Sequence, residues 1–329
     1  MKVLFCTRGD VHARPAGDTV QIVHTAAYLE EHGVQVDFGD AARDPHAYDV
    51  VHLFGMTPIA HALQCFRRAS ACGIPVVITP IYWDLRNYYR LTRSAGRLLL
   101  WENSRALRRE ILTGCACVYP SGQGERMLLE REAGGALPYV IVRGGIDAAR
   151  FATPSTAPRS LDVLCAARVC PRKNQLALAR ACAHCGCALT LVGPVTNASY
   201  LDACLGYPNV RYAGCLQEDA LRGLYGQARV HALPSFAETP GLASMEAAAA
   251  GCNVLSTSAG DAEEYFAHEA TYCDPYTPGD VSRALALALS YNAQPALGAR
   301  IRAEYDWAAC LAPLWDSYCA LIGQTVTRA

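Results

Sequence analysis

Short apolar runs alternate with stretches of helical period along almost the whole chain, and this alternation limits the fold more than any single motif does. "KVLFC", "VQVDF", "YDVVHLF", "PVVIT" and "CVYPS" read as buried strands, with helical stretches such as "TVQIVHTAAYLEEHG", which ends at Gly33, between them. Strands and helices in this order predict a parallel sheet with helices on both faces. The run "YVIVRGGIDAARF" closes that half, and "ATPSTAPRS", rich in Pro, Ser and Thr without periodicity, reads as a linker. The pattern then restarts with "LDVLCAARV", "ALTLVGP", "VRYAG", "VHALPS", "NVLST" and "ATYCD".

A chain of 329 residues is long enough for two such units, because one core stops growing near about 250–300 residues. The expected fold is therefore α/β, with two Rossmann-like, doubly wound parallel-sheet domains facing a cleft. The expected boundaries are 1–152, 153–305 and a helical tail, 306–329, that packs back toward the N-terminal domain. In that tail Trp307, Leu311, Trp315 and Tyr318 recur at helical spacing on one face, a packing stripe.

The net charge of -1 offers no global attraction to nucleic acid, so a charged partner must be met locally. Sixteen cysteines scattered through strands and helices of a chain this long read as reduced, mostly buried small side chains. The cluster Cys182, His184, Cys185 and Cys187 lacks a second pair at zinc-site spacing. The amino terminus has no signal-peptide pattern and no run reaches the ~18 apolar residues of a membrane span. A cytoplasmic protein is expected, with peripheral contact at the inner membrane face as an option.

In open α/β sheets ligands bind beyond the carboxyl ends of the strands. The loop after "HALP" reads "SFAETPGLASMEAAAAG" and sets Glu238 and Glu246 on either side of a Thr-Pro-Gly turn. Pro240 and Gly241 start a helix at Leu242 whose first N–H groups suit a phosphate. Glu246, about 6–8 Å along that helix at 1.5 Å per residue, can reach back toward ribose hydroxyls, and Glu238 toward a sugar at the other end. On their own, the same two positions fit a solvated loop carboxylate and a surface helix residue slightly better. The loop after "LDVLC" shifts the balance, because "AARVCPRKNQ" supplies Arg168 and Lys173 at a strand end, where a diphosphate needs neutralising. Arg172 is expected to face solvent.

Metal finds little support in the sequence, which has no Asp-x-Asp dyad. No cofactor is expected, since the first loop, "TRGDVHARPAGDTVQIV", lacks G-x-G-x-x-G. In that loop Gly17 permits close backbone approach, and Asp18 is either a helix cap or a polar contact to substrate. Arg8 and Arg14 can meet an anionic acceptor or stand in solvent.

The series "AARVCPRKNQ", "LTLVGP", "NVRYAGCLQEDALRGLYGQARVHALPS" and "ETPGLASMEAAAAGCNVLSTSAGDAEEY" resembles the donor-binding half of the family 4 glycosyltransferases of GT-B fold. Their signature is a Glu, seven intervening residues and a second Glu, ahead of an Ala-rich helix and a Gly-x-x-Val turn. The resemblance covers most of residues 160 to 290. It is looser in the first half, through "KVLFCTRGD", "AGDTVQI" and "YDVVHLF". It implies a nucleotide-sugar-dependent, retaining, metal-independent transfer of hexosyl type, of the kind used in polysaccharide biosynthesis. Arg168 and Lys173 would hold the diphosphate, Glu246 the ribose, and Glu238 with the Pro240, Gly241 and Leu242 amides the sugar and phosphate. Gly193, Pro194 and Leu216 would lie near the base.

Two departures stand out. Where relatives often carry a His facing the sugar, this chain has "VVITPIYWDLRNYY", with Thr79, Tyr82 and Asp84, while His52 ends the preceding strand. "RGGID" replaces the more usual Asn-Gly before the acidic residue. Two other readings suit the same motifs: a catalytically degenerate nucleotide-sugar-binding or scaffold protein, and a nucleotide-sugar epimerase. Between Tyr82 and Arg109 lie seven arginines, Arg86, Arg90, Arg93, Arg97, Arg105, Arg108 and Arg109, among aromatic residues. This segment suits a glycan or lipid-linked acceptor and an anionic membrane surface, or is a solvated helix face.

Overall fold

The computed structural model describes residues 1–9, 17–151, 158–239, 241–292 and 294–328, the last five of these as backbone. Two compact units emerge, one of residues 1–144 with the tail from Trp307 onward, the other of Gly145–Asp306.

In the first unit, strands β1 (Lys2–Cys6), β2 (Gln35–Gly39), β3 (Val50–Phe54), β4 (Val76–Thr79) and β5 (Cys117–Val118) form a sheet in the order β2-β1-β3-β4-β5. Every pairing is parallel. Strand β3 is buried along its whole length and β4 likewise, as expected for strands covered on both faces. The connecting helices are α1 (Gly17–Glu31), α2 (Ile59–Ala71), α3 (Arg86–Leu91), α4 (Ala95–Asn103), α5 (Arg105–Gly114) and α6 (Gln123–Ala133).

The second unit repeats the plan with β6 (Leu161–Ala166), β7 (Leu189–Val192), β8 (Val210–Tyr212), β9 (Ala228–Leu233), β10 (Asn253–Thr257) and β11 (Thr271–Cys273), ordered β11-β10-β9-β6-β7-β8. This sheet is also all parallel. Its helices are α7 (Gln175–Cys185), α8 (Ala198–Leu205), α9 (Glu218–Gln227), α10 (Leu242–Ala249), α11 (Ala262–Phe266), α12 (Asp280–Ser290) and α13 (Pro295–Glu304). The strand order reverses at β6 and β9, whose carboxyl ends carry the two loops singled out above.

The change of unit falls at Gly144/Gly145 and Asp306/Trp307, where the sequence suggested 152/153 and 305/306. Backbone pairing explains the difference. The Ile146 N–H donates to the Tyr305 carbonyl at 2.8 Å and the Ala148 N–H to Asp306 Oδ2 at 3.3 Å, tying residues 146–148 to the end of the second unit. The run before them stays extended beside β5, with the Val140 and Val142 N–H groups donating to Val118 and Pro120, without becoming a full strand. Most of the linker reading, residues 152–157, lies outside the described residues.

The tail is helix α14 (Trp307–Arg328). Trp307 stacks on His24 of α1 at 4.6 Å between ring centroids, and Trp315 meets His32 at 5.1 Å. The Tyr318 hydroxyl reaches His52 Nδ1 on β3 at 2.7 Å. His52 is fully buried, and its Nε2 is 2.8 Å from the Thr79 hydroxyl. Burial lowers its basicity to a pKa of about 3. It is therefore a buried, neutral anchor for the tail. All sixteen cysteines are free thiols, most of them buried.

Candidate functional site

The second unit brings most of the sequence-derived residues to the carboxyl ends of β6 and β9. After β6 the chain runs through Arg168 into a 3-10 turn, Pro171–Lys173, and Asn174 in a left-handed conformation (φ 58°) redirects it into α7. Gln175, fully buried, holds this loop from beneath: its amide donates to the Arg168 carbonyl at 2.8 Å, and its oxygen accepts from the Cys170 N–H at 3.4 Å. The Arg168 guanidinium has no hydrogen-bond or ion-pair partner among the described residues and is half-buried.

After β9 the chain passes through Ser235, Phe236 and Ala237 to Glu238, which is 5% exposed. Lys173 donates from Nζ to Glu238 Oε1, a nearly buried ion pair that joins the two loops. Arg172, expected in solvent, instead donates from its guanidinium to the Ala237 carbonyl at 2.9 Å, and its own carbonyl accepts from the Phe236 N–H at 3.0 Å. The reason is the tight 3-10 turn, which carries Arg172 across to the neighbouring loop. Burial works to raise the Glu238 carboxyl, but the charges of Lys173 and then Arg172 outweigh it and hold it below the ordinary carboxylate value. Glu238 is therefore an anion.

Glycines set the backbone of this loop. Glu238 bridges Gly260, with the Glu238 N–H donating to the Ala259 carbonyl at 3.0 Å and the Asp261 N–H returning to the Glu238 carbonyl at 3.3 Å. At Gly260 (φ 134°) a Cβ would stand 1.7 Å from the Glu238 carbonyl oxygen, so only glycine fits. Gly193 (φ 129°) plays the same part under the cation loop, where a Cβ would meet the Ala167 carbonyl oxygen at 2.3 Å. Leu216, on the loop after β8, is half-buried.

Helix α10 starts at Leu242 behind Gly241, which is left-handed at φ 69°. The Ser244 and Met245 N–H groups fold back onto the Gly241 carbonyl at 2.8 and 3.2 Å. Pro240 lies outside the described residues, as does Arg14. Glu246, one turn further along, accepts at Oε2 from the buried Tyr225 hydroxyl of α9 at 3.0 Å. Burial raises its carboxyl to about 7, against the pull of that hydroxyl. It is thus neither a plain surface residue nor a permanently charged one.

Gly17 and Asp18 belong to the first unit, in the opening turn of α1. Asp18 accepts from Arg8 Nε at 2.8 Å, and Arg8 also donates to the Thr19 hydroxyl at 3.2 Å. This pairing accounts for Arg8 without an anionic acceptor. In the "TPIYWD" stretch, Thr79 is engaged by His52, Asp84 by Arg86, and the Tyr82 N–H by the buried Glu125 carboxylate at 2.6 Å.

This arrangement combines cations at one strand end, a helix start at the next and two carboxylates in different charge states. It can accept a diphosphate flanked by hydroxyl-bearing groups. Residues 160–291, which contain all of it, match the family model described as glycosyl transferases group 1. Solved glycosyltransferase structures share the fold over nearly the whole chain. Sucrose-phosphate synthase of Thermosynechococcus elongatus is similar at 18% identity with a TM-score of 0.80, covering 98% of this chain and 100% of its own. Anabaena HepE in complex with UDP follows at 15% and 0.73, covering 97% and 100%. A glycosyltransferase from Rickettsia africae follows at 12% and 0.72, covering 98% of each chain. No curated protein matches this chain in sequence. The two all-parallel α/β units thus have the GT-B fold.

Sequence reasoning missed three residues that support this candidate site: Gln175, Tyr225 and Gly260. Gly260 carried a usable signal, lying in "STSAGD" just beyond a strand. The other two look like ordinary helix residues, and only the fold shows where they point.

Proposed function

We propose that the protein is a retaining, metal-independent hexosyltransferase that moves a sugar from a nucleotide diphosphate sugar to a glycan or lipid-linked glycan. The observation that carries this reading is that Arg168 has no described partner, beside the Lys173–Glu238 pair, at the ligand-bearing edge of the second sheet. Arg168 and Lys173 neutralise the diphosphate, the Gly241 and Leu242 amides at the start of α10 receive a phosphate oxygen, and Glu246 receives the ribose hydroxyls. Glu238 lies toward the transferred sugar. Gly193 and Leu216 lie toward the base.

The acceptor hydroxyl attacks the anomeric carbon on the face that the leaving diphosphate vacates. The bond from that carbon to the β-phosphate oxygen breaks as the new glycosidic bond forms, and the acceptor's proton passes to that leaving oxygen. No carboxylate nucleophile and no His in the "TPIYWD" stretch is needed for this step. Anabaena HepE has been solved with UDP and glucose, which makes uridine nucleotides the first donors to try.

A cytoplasmic location with peripheral membrane contact fits the surface of α3 and α4. Leu91, Leu99 and Leu100 are 52%, 61% and 71% exposed beside Arg90, Arg93 and Arg97. Arg108, in contrast, is buried against Glu132 at 3.0 Å and over Trp101, and it contributes nothing to that surface. No helix among the described residues is long and apolar enough to cross a membrane.

The test is a thermal-shift panel of UDP, GDP and ADP, since a ligand that binds only the folded state stabilises it by about 2.7 kcal/mol at one hundred times its Kd. Stabilisation by one of the three is expected, and the absence of any response would remove the donor site.

A further inference from the structure

His231 occupies the middle of β9, paired in register with Leu164 of β6 and Val254 of β10, a position where an apolar side chain would pack without cost. It is fully buried, yet both its ring nitrogens are used. The Ala166 N–H donates to Nε2 at 3.3 Å, which places the ring proton on Nδ1, and Nδ1–H then donates to the Ser244 hydroxyl at 3.2 Å. Ser244 is itself fully buried. Burial lowers the His231 pKa to about 3, so the ring is neutral and this polarity of hydrogen bonds holds at any working pH.

The two ends of this tie are the points from which the ligand-bearing segments depart. Ala166 is the last residue of β6, two before Arg168, and Ser244 lies in the first turn of α10, two before Glu246. Tyr225, which donates to Glu246, stands edge-on to the His231 ring at 5.8 Å and 74°. His231, Ser244 and Tyr225 thus form one buried layer under both halves of the site.

We propose that His231 is a positioning residue that fixes the spacing between the Arg168–Lys173 loop and the Glu246 helix through its bonds to Ala166 and Ser244. The proposal rests on the donor-site reading above. Breaking the tie leaves the β-sheet in place but lets α10 shift against the cation loop, which weakens a ligand that must touch both.

The experiment titrates UDP, GDP and ADP into the full chain as wild type, His231→Phe, Ser244→Ala, the double variant and Val230→Ala. Val230→Ala makes a cavity in the same strand without touching the tie. His231→Phe and Ser244→Ala are each expected to weaken the nucleotide that binds by about tenfold, and the double variant by no more than His231→Phe alone, because residues sharing one interaction do not add. Val230→Ala should lower the melting temperature but keep the affinity. Hydrogen exchange on the nucleotide-free proteins should rise at residues 242–246 in both tie variants and not in Val230→Ala. Unchanged affinity and exchange in His231→Phe, additive losses in the double variant, or an equal loss in Val230→Ala would each overturn the positioning role. A wild-type protein that binds none of the three nucleotides, with exchange still responding as described, would remove the donor reading and leave the structural tie intact.

Discussion

Lys173 donates to Glu238 across two loops that leave neighbouring strands, and both side chains are nearly out of solvent. In the free protein the charges that the proposed reaction needs are already opposed to each other. The charges of Lys173 and then Arg172 outweigh burial and keep Glu238 an anion.

That pairing predicts an asymmetry between two substitutions. Glu238→Ala leaves a buried ammonium without its partner and should cost about 3–5 kcal/mol of stability. Arg168→Ala removes a cation with no described partner, so it should change stability by no more than about 0.5 kcal/mol while sharply weakening nucleoside diphosphate binding. Paired thermal melts and calorimetric titrations check both. Equal destabilisation by the two would contradict the assignment of Arg168 to the ligand.

Glu246 predicts a pH signature. Its folded pKa is about 7 against an ordinary value of 4.5, so between those values the folded protein holds a proton that the unfolded chain has lost. The contribution of this group to stability is full below about pH 4.5 and is lost as pH rises through about 7. Glu246→Gln removes the loss. The variant should melt higher than wild type at pH 8 and equally at pH 4, and it should bind nucleotide more weakly. Melting curves at the two pH values decide it.

Gly260 predicts a backbone effect on a remote residue. In Gly260→Ala the new methyl meets the Glu238 carbonyl, and the left-handed-side φ adds strain of about 1–3 kcal/mol. The melting temperature should fall and turnover should fall with it. A substitution tolerated in both would mean that the 259–261 loop does not set Glu238.

In the first unit, Tyr318→Phe removes the hydroxyl that meets His52 Nδ1. It leaves a buried ring nitrogen unsatisfied at a cost of about 1–3 kcal/mol. Urea unfolding of the full chain measures it.

The strands were legible because covered parallel strands are short apolar runs, and the eleven strands among the described residues all correspond to runs in the sequence. The two loops were legible because Arg168, Lys173, Glu238 and Glu246 fall at strand ends and bracket a helix start. Side-chain pairing was not legible. Arg172 looked solvent-facing because nothing local reveals that a 3-10 turn carries it to the Ala237 carbonyl. His52 looked like a strand-end group until a helix 266 residues later in sequence supplied its partner. Tyr225 and Glu246 are likewise separated by 21 residues and meet only through packing.

The most direct test of the central claim is release of label from UDP-glucose, GDP-mannose and ADP-glucose, supplied one at a time with and without a glycan acceptor, by wild type and by the Arg168→Ala/Lys173→Ala variant with its fold verified by circular dichroism. The wild-type protein should turn over one donor, and the doubly substituted protein should lose that turnover while staying folded. A folded double variant that transfers sugar at the wild-type rate would contradict the assignment of the diphosphate to these two cations.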